Sequence, residues 1–261
     1  MSDVFEPFSL AIPQSQLDDL RQRLAFTRWP DREMVDDTSQ GPPLAKVQAL
    51  CDYWRDRYDW RRCEALLNGF DQQRTTIDGL GIYFLHVRSP ESDALPLLMT
   101  HGWPGSVLEF RDVIGPLTDP LAHGGDAADA FHVVIPSQPG FGFSDRPTES
   151  GWTIPRTAGA WTELMARLGY DRWAAQGGDW GSAVTTVLGY MAPKGLIGIH
   201  LNLVNFQPTD VEVAETTPQE QAMIAAMKRY ADQLSGYSKV QMTRPQSIGY
   251  ALADSPAGLA A

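Results

Sequence analysis

An aspartate set among glycines, Gly177-Gly178-Asp179-Trp180-Gly181, carries the most chemistry in this chain. Residues 172–176 before it read as a short strand, and 182–191 after it as a helix. A small–x–nucleophile–x–small pattern between strand and helix makes a sharp turn, and Gly177 and Gly181 supply the small residues. Such a turn lifts its central side chain clear of the backbone and aims it over the strand ends. A carboxylate there suits attack on an alkyl carbon, giving an ester that water must then break. A side chain of ordinary pKa, about 3.9, is ionised at neutral pH without a helper. The plainer reading of the same residues is a Gly-Asp turn bearing a solvated acid.

A second motif stands upstream. Residues 95–100 are an apolar run of strand length, ending in His101-Gly102-Trp103-Pro104-Gly105-Ser106, and 107–117 then read as a helix. Gly102 lets the backbone approach a neighbour closely, and Pro104 fixes the direction of the loop. His101 reads as a structural histidine bonded within its own loop, badly placed to activate water at Asp179. A third motif is Pro139-Gly140-Phe141-Gly142-Phe143-Ser144, and residues 21–30 read Arg-Gln-Arg-Leu-Ala-Phe-Thr-Arg-Trp-Pro. Together these stretches resemble the epoxide hydrolases of the microsomal type, within the α/β-hydrolase superfamily. The resemblance covers the whole chain. The glycine-flanked aspartate is shared with dehalogenases; the N-terminal segment combined with the two Trp-bearing motifs is far more specific.

That resemblance implies an α/β-hydrolase fold, a mostly parallel sheet flanked by helices. It implies a family-specific N-terminal region over 1–88, the first part of the core over 89–204, and the start of a helical cap over 205–261. Asp179 would be the nucleophile, and the backbone amides of Trp103 and Trp180 the oxyanion donors. An epoxide has no carbonyl, so a serine would leave a stable ether, whereas an aspartate leaves a hydrolysable ester. Tyr237, in Ser235-Gly236-Tyr237, matches the first of the cap tyrosines that meet the developing alkoxide. A second cap tyrosine of the family would lie beyond the end of this chain, and the family's water-activating histidine and its acid partner lie well beyond the cap. None of His86, His101, His123, His132 and His200 does so, and His200 reads as buried packing in a strand. The chain is therefore expected to lack the water-activating pair and the late core strands. On that expectation it is inactive alone and poorly soluble. The substrates implied are a small hydrophobic epoxide and water, with no cofactor and no metal. Two other readings stay open. One is a haloalkane or haloacid dehalogenase built on the same Asp179, with Trp103 and Trp180 as halide donors. The other is a non-catalytic remnant or binding module.

Bulk properties bound the partners. At 261 residues and 43% hydrophobic, the chain can hold one large α/β domain with additions. A net charge of −11 argues against nucleic acid and against anionic membranes. Cys51 and Cys63 have no metal-like spacing and read as free thiols in a reducing compartment. No signal peptide and no membrane anchor is read, so a cytoplasmic location is expected; homo-oligomerisation stays open.

The elements that must position these residues follow from periodicity. Residues 15–28, 44–58 and 61–67 read as helices added to the core, with Leu17, Leu20 and Leu24 forming an apolar stripe. Runs 72–77 and 82–87, separated by Asp78-Gly79-Leu80-Gly81, read as a hairpin. Strands at 131–135 and 197–204 and a helix at 157–168 complete the core pattern, with a surface loop over 119–130. Helices at 218–234 and 247–254 belong to the cap.

Overall fold

The computed structural model describes residues 5–204 and 216–261. In chain order its elements are β1 (Glu6–Pro7), α1 (Gln14–Ala25), α2 (Leu44–Asp56), α3 (Trp60–Asn68), β2 (Gln72–Ile77), β3 (Leu80–Val87), β4 (Leu95–Thr100), α4 (Arg111–Thr118), β5 (Phe131–Pro136), α5 (Ile154–Arg167), β6 (Trp173–Gly177), α6 (Trp180–Met191), β7 (Leu196–Leu201), α7 (Pro218–Arg229), α8 (Gly236–Thr243), α9 (Pro245–Asp254) and α10 (Pro256–Ala260). They fall into two compact units, Met1–Leu10 with Glu64–Phe206, and Ala11–Cys63 with Gln207–Ala261. The expected start of the cap, residue 205, lies outside the described residues. No described helix is long and apolar enough to cross a membrane.

The first unit is built on a seven-stranded sheet in the order β1-β2-β3-β5-β4-β6-β7. Pairing is parallel across β5-β4-β6-β7 and antiparallel from β1 to β5. The sheet is thus mixed, and its parallel half carries the aspartate turn. Connection length explains the division. Helices α4, α5 and α6 give the crossovers that parallel strands need, whereas β2 and β3 are joined too tightly for anything but a hairpin. That hairpin is shorter than the four-residue turn read from the sequence. Asp78 (φ 50°) and Gly79 (φ 77°) both adopt the left-handed backbone of a two-residue turn, so Leu80 and Gly81 already belong to β3.

Alternation along the central strands buries both faces. Phe84, Leu98, Val134 and Ala175 pack with Trp161, Leu164 and Met165 of α5 and Val184 and Leu188 of α6. Their alternates Leu97, Met99, Val133 and Ile135 are buried as well. Each of the Val, Leu, Ile, Phe and Met side chains among them contributes roughly 1.5–3 kcal/mol on removal from water. Helix α5 starts three residues earlier than its periodicity suggests, at Ile154. Pro155 is harmless there, because its missing N–H would have no intrahelical partner in the first turn. One expectation fails at the last described strand. His200 on β7 is exposed, not buried, as are Ile197 and Ile199. Among the described strands β7 pairs only with β6.

In the second unit Leu24, Val47, Cys51 and Ala257 form a small core, flanked by Leu20, Trp54 and Ala260. Helix α1 ends at Ala25, short of the expected residue 28, where the Phe26 N–H closes onto the Gln22 carbonyl. Helix α7 opens with a capping box: the Thr217 hydroxyl accepts from the Glu220 N–H while the Glu220 carboxylate accepts from the Thr217 N–H. Neither cysteine is in a disulfide.

Candidate active site

Strands β4 and β6 lie side by side in parallel, with Thr100 opposite Gly177. The loop that follows β4 and the turn that follows β6 therefore leave the sheet together, at the strand ends where open α/β sheets hold ligands.

The turn after β6 is strained at one residue. Asp179 has φ 49° and ψ −123°, a backbone that residues with side chains rarely adopt, at a cost of about 1–3 kcal/mol. Its surroundings hold it there. The Ser182 hydroxyl donates to the Gly177 carbonyl at 2.7 Å, and the Asn202 N–H donates to the same oxygen at 3.1 Å. The Gln176 side-chain amide donates to Asn202 Oδ1 at 3.0 Å. Close packing completes the restraint. A Cβ on Gly177 would overlap the Gly181 carbonyl and the Thr185 hydroxyl. One on Gly181 would overlap the carbonyls of Thr100 and His101. Both glycines are therefore required by space, since neither has a left-handed backbone.

The loop after β4 meets this turn through Gly102, where a Cβ would fall on the Asp179 side chain. The next amide, that of Trp103, donates to Asp179 Oδ1 at 2.9 Å. His101 fixes the same peptide plane from its other end. Its ring is fully buried, its Nδ1 lies 3.0 Å from the Gly102 carbonyl, and its Nε2 accepts the Gln138 N–H at 3.2 Å. The Gln138 side-chain amide returns a hydrogen bond to the His101 carbonyl at 2.6 Å. With Nε2 accepting, Nδ1 carries the proton and donates to Gly102. Burial lowers the pKa of His101, partly offset by the Gly102 carbonyl, and the ring is neutral. Both ring nitrogens are engaged, so His101 acts on the loop.

A second carboxylate joins the site. The Glu109 carboxylate lies where a Cβ on Gly105 would fall, and its pKa is raised chiefly by burial, with the charge of Asp179 adding to it against a pull the other way from the Gly102 backbone. Neither Glu109 nor Gln138 stood out in the sequence. Gln138 did carry a signal, since it directly precedes the Pro139-Gly140 motif; Glu109 looked like any charge on a helix.

The remaining site candidates are placed as follows. Trp180 is the first residue of α6, so its N–H is among those a helix leaves without intrahelical partners, and its indole is exposed. Pro104 follows a cis peptide bond from Trp103. Tyr237 belongs to the second unit, near the start of α8, with its hydroxyl 2.9 Å from that of Tyr230. Among the described residues no histidine hydrogen-bonds Asp179. His86 bonds to Tyr170, and His132 accepts the Ser89 N–H.

Residues 5–110 match the family model described as epoxide hydrolase N terminus, and residues 96–237 match that of the α/β-hydrolase fold. A solved Aspergillus niger epoxide hydrolase superposes with a TM-score of 0.89 at 31% identity, over 98% of this chain and 67% of that one. The chain belongs to the epoxide hydrolase family. Epoxide hydrolase 1 of Sus scrofa is 34% identical over 278 residues, covering 98% of this chain and 60% of that protein. A Stigmatella aurantiaca protein with a provisional epoxide hydrolase name is 59% identical over 255 residues, 98% of this chain and 58% of its own length. This epoxide hydrolase chain thus spans about three fifths of the curated relatives it matches.

Proposed function

We propose that this chain opens a small hydrophobic epoxide by forming an ester on Asp179, the covalent step of epoxide hydrolysis to a vicinal diol. The observation that carries the reading is the Trp103 N–H directed at a carboxylate held on a strained turn. A solvated surface acid has no need of a second loop packed onto it through Gly102. With Oδ1 engaged by that amide, Oδ2 is the oxygen free to attack. As the Oδ2–carbon bond forms, the ring carbon–oxygen bond breaks and its electron pair passes to the ring oxygen. Tyr237 gives that oxygen its proton, and a 2-hydroxyalkyl ester results. When water later attacks the ester carbon, charge gathers on Oδ1, and the amides of Trp103 and Trp180 stabilise it. The reading assigns no described residue to activating that water, so the ester should persist in this chain. Residues 1–88, 89–204 and 205–261 keep their proposed roles as N-terminal region, core and cap.

Intact-mass spectrometry after incubation with an aryl epoxide tests this. The chain should gain the mass of one epoxide, mapped to the Asp179 peptide, and Asp179→Ala should gain none. An adduct elsewhere, or none on folded protein, would sink the reading. An ester formed from a haloalkane but from no epoxide would select the dehalogenase alternative.

A further inference from the structure

We propose that Gln138 is a positioning residue for the Trp103 amide: its side chain and its backbone together hold the two peptide planes that meet at Gly102, and so aim the Trp103 N–H at Asp179. This rests on the reading of Asp179 as the nucleophile that this amide serves. Gly102 must lack a Cβ because Asp179 occupies the space. The same lack leaves its backbone freer to swing than that of any other residue. The first plane carries the His101 carbonyl, which accepts from the Gln138 side-chain amide at 2.6 Å. The second carries the Gly102 carbonyl, 3.0 Å from His101 Nδ1, and the Trp103 N–H, 2.9 Å from Asp179 Oδ1. Gln138 reaches that second plane through the ring. Its backbone N–H occupies His101 Nε2 at 3.2 Å, which leaves Nδ1 to carry the proton that the Gly102 carbonyl accepts.

Three neighbouring strands feed this path. The sheet order places β4 between β5 and β6. Gln138 follows β5, His101 to Trp103 follow β4, and Asp179 follows β6, so contact passes from loop to loop across the sheet. The motif at 139–144, to which the proposed reaction gives no role, anchors the near end. The Phe141 N–H donates to the Gln138 carbonyl at 2.9 Å, closing a turn directly after it. Ser137, the residue before, is tied to β3 by its N–H on the Tyr83 carbonyl at 2.9 Å, and its own carbonyl accepts the Ser144 hydroxyl at 2.7 Å. The Phe141 ring stands edge-on to that of His101, with centroids 5.4 Å apart. Gln138 and His101 are both buried, and the His101 carbonyl packs against Gly181 of the aspartate turn. An apolar side chain at 138 could fill the same space, but it would leave that carbonyl without the amide donor.

Nitrogen-15 and carbon-13 spectra of the chain test this without any turnover. The Gln138 side-chain amide should show a coupling through its hydrogen bond to the His101 carbonyl carbon and should exchange slowly. Gln138→Met, of similar length but with no side-chain N–H, should speed Trp103 amide exchange about fivefold or more, the scale of a buried acceptor left unpaired. The His101 ring should keep its Nδ1 proton in that variant, because the backbone N–H of residue 138 remains. The same variant should slow ester formation at saturating epoxide about fivefold or more, with the half-saturating concentration within about twofold, since positioning is lost and binding is not. Unchanged Trp103 exchange in Gln138→Met, with β4, β5 and β6 amides intact, would overturn the proposal. So would a Gln138 side-chain amide in the unaltered chain that shows no coupling to His101 and exchanges as fast as a solvated one, which decides the matter even where the variant fails to fold. Absence of the epoxide adduct with these amide results intact would instead indict the nucleophile reading.

Discussion

Acid should unfold this chain earlier than its carboxylates alone require, and the cause is His86. The ring is buried on β3, with Nε2 2.7 Å from the Tyr170 hydroxyl. A neutral ring can accept the Tyr170 O–H through Nε2, whereas a protonated one cannot. Burial keeps His86 neutral at neutral pH, and so able to accept. Burial first, then Arg88, lowers its pKa from 6.5 to about 4, against a smaller opposing pull from Asp71; His132 adds to the lowering. The unfolded chain takes up a proton near pH 6.5, while the folded chain resists until about pH 4. Stability is thus present above pH 6.5 and is lost as pH falls through that window. At about 1.36 kcal/mol per pH unit, the loss from this one group is about 3 kcal/mol. His101 and His132 are shifted in the same direction, each chiefly by burial, and steepen the slope. The raised Glu109 opposes it weakly, because a carboxyl with a raised pKa favours the folded state as pH falls. Urea unfolding followed by tryptophan fluorescence from pH 7.5 to 4.5 reads the slope above the range where ordinary carboxylates titrate. His86→Gln, which keeps an acceptor for Tyr170, should flatten it. A flat profile in the parent, or an identical slope in His86→Gln, would refute this account of the buried ring.

Three further outcomes follow from the site. Asp179→Gly should raise the melting temperature while abolishing the epoxide adduct, because it relieves about 1–3 kcal/mol of backbone strain and the Trp103 amide it frees can turn to water; a lowered melting temperature would show the turn to be relaxed. Gly102→Ala sets a methyl group on the Asp179 side chain and should slow adduct formation about a hundredfold or more, as stopped time points in mass spectrometry would show. Tyr237→Phe should slow ester formation by about 10²–10⁴ with the melting temperature unchanged, since its hydroxyl partner Tyr230 is also exposed; an unaltered rate would remove Tyr237 from the mechanism.

Local pattern carried much of this structure. Strand 95–100 has the ends that its apolar run implies, and strand 72–77 those that its β-rich run and the turn residues after it imply. The aspartate turn was legible because strand, glycines and helix follow one another within a few residues. Strand neighbours were less so: β3 lies antiparallel against β5 instead of β4, a choice made by packing between distant segments. The double glycine at 79 and 81 hid the first residues of β3. Helices α8 and α10 went unread because each is short and lies among Gly, Pro and Ser, which look like loop. Glu109 could not be found from spacing at all. Its place beside Gly105 and near Asp179 depends on a side chain folding back over its own loop, and periodicity says nothing of that.

The bond from Trp103 to Asp179 makes two oxygens of one carboxylate unequal. In the proposed reaction the oxygen that attacks leaves with the diol, and solvent must replace it. The oxygen on the amide never departs. In any protein of this design that also breaks the ester, Asp179 would exchange one atom with water at every turnover and keep the other for its lifetime. After many turnovers in heavy-oxygen water the aspartate should hold one labelled oxygen. Two would mean that the carboxylate turns over between cycles and that the Trp103 amide does not tell its oxygens apart.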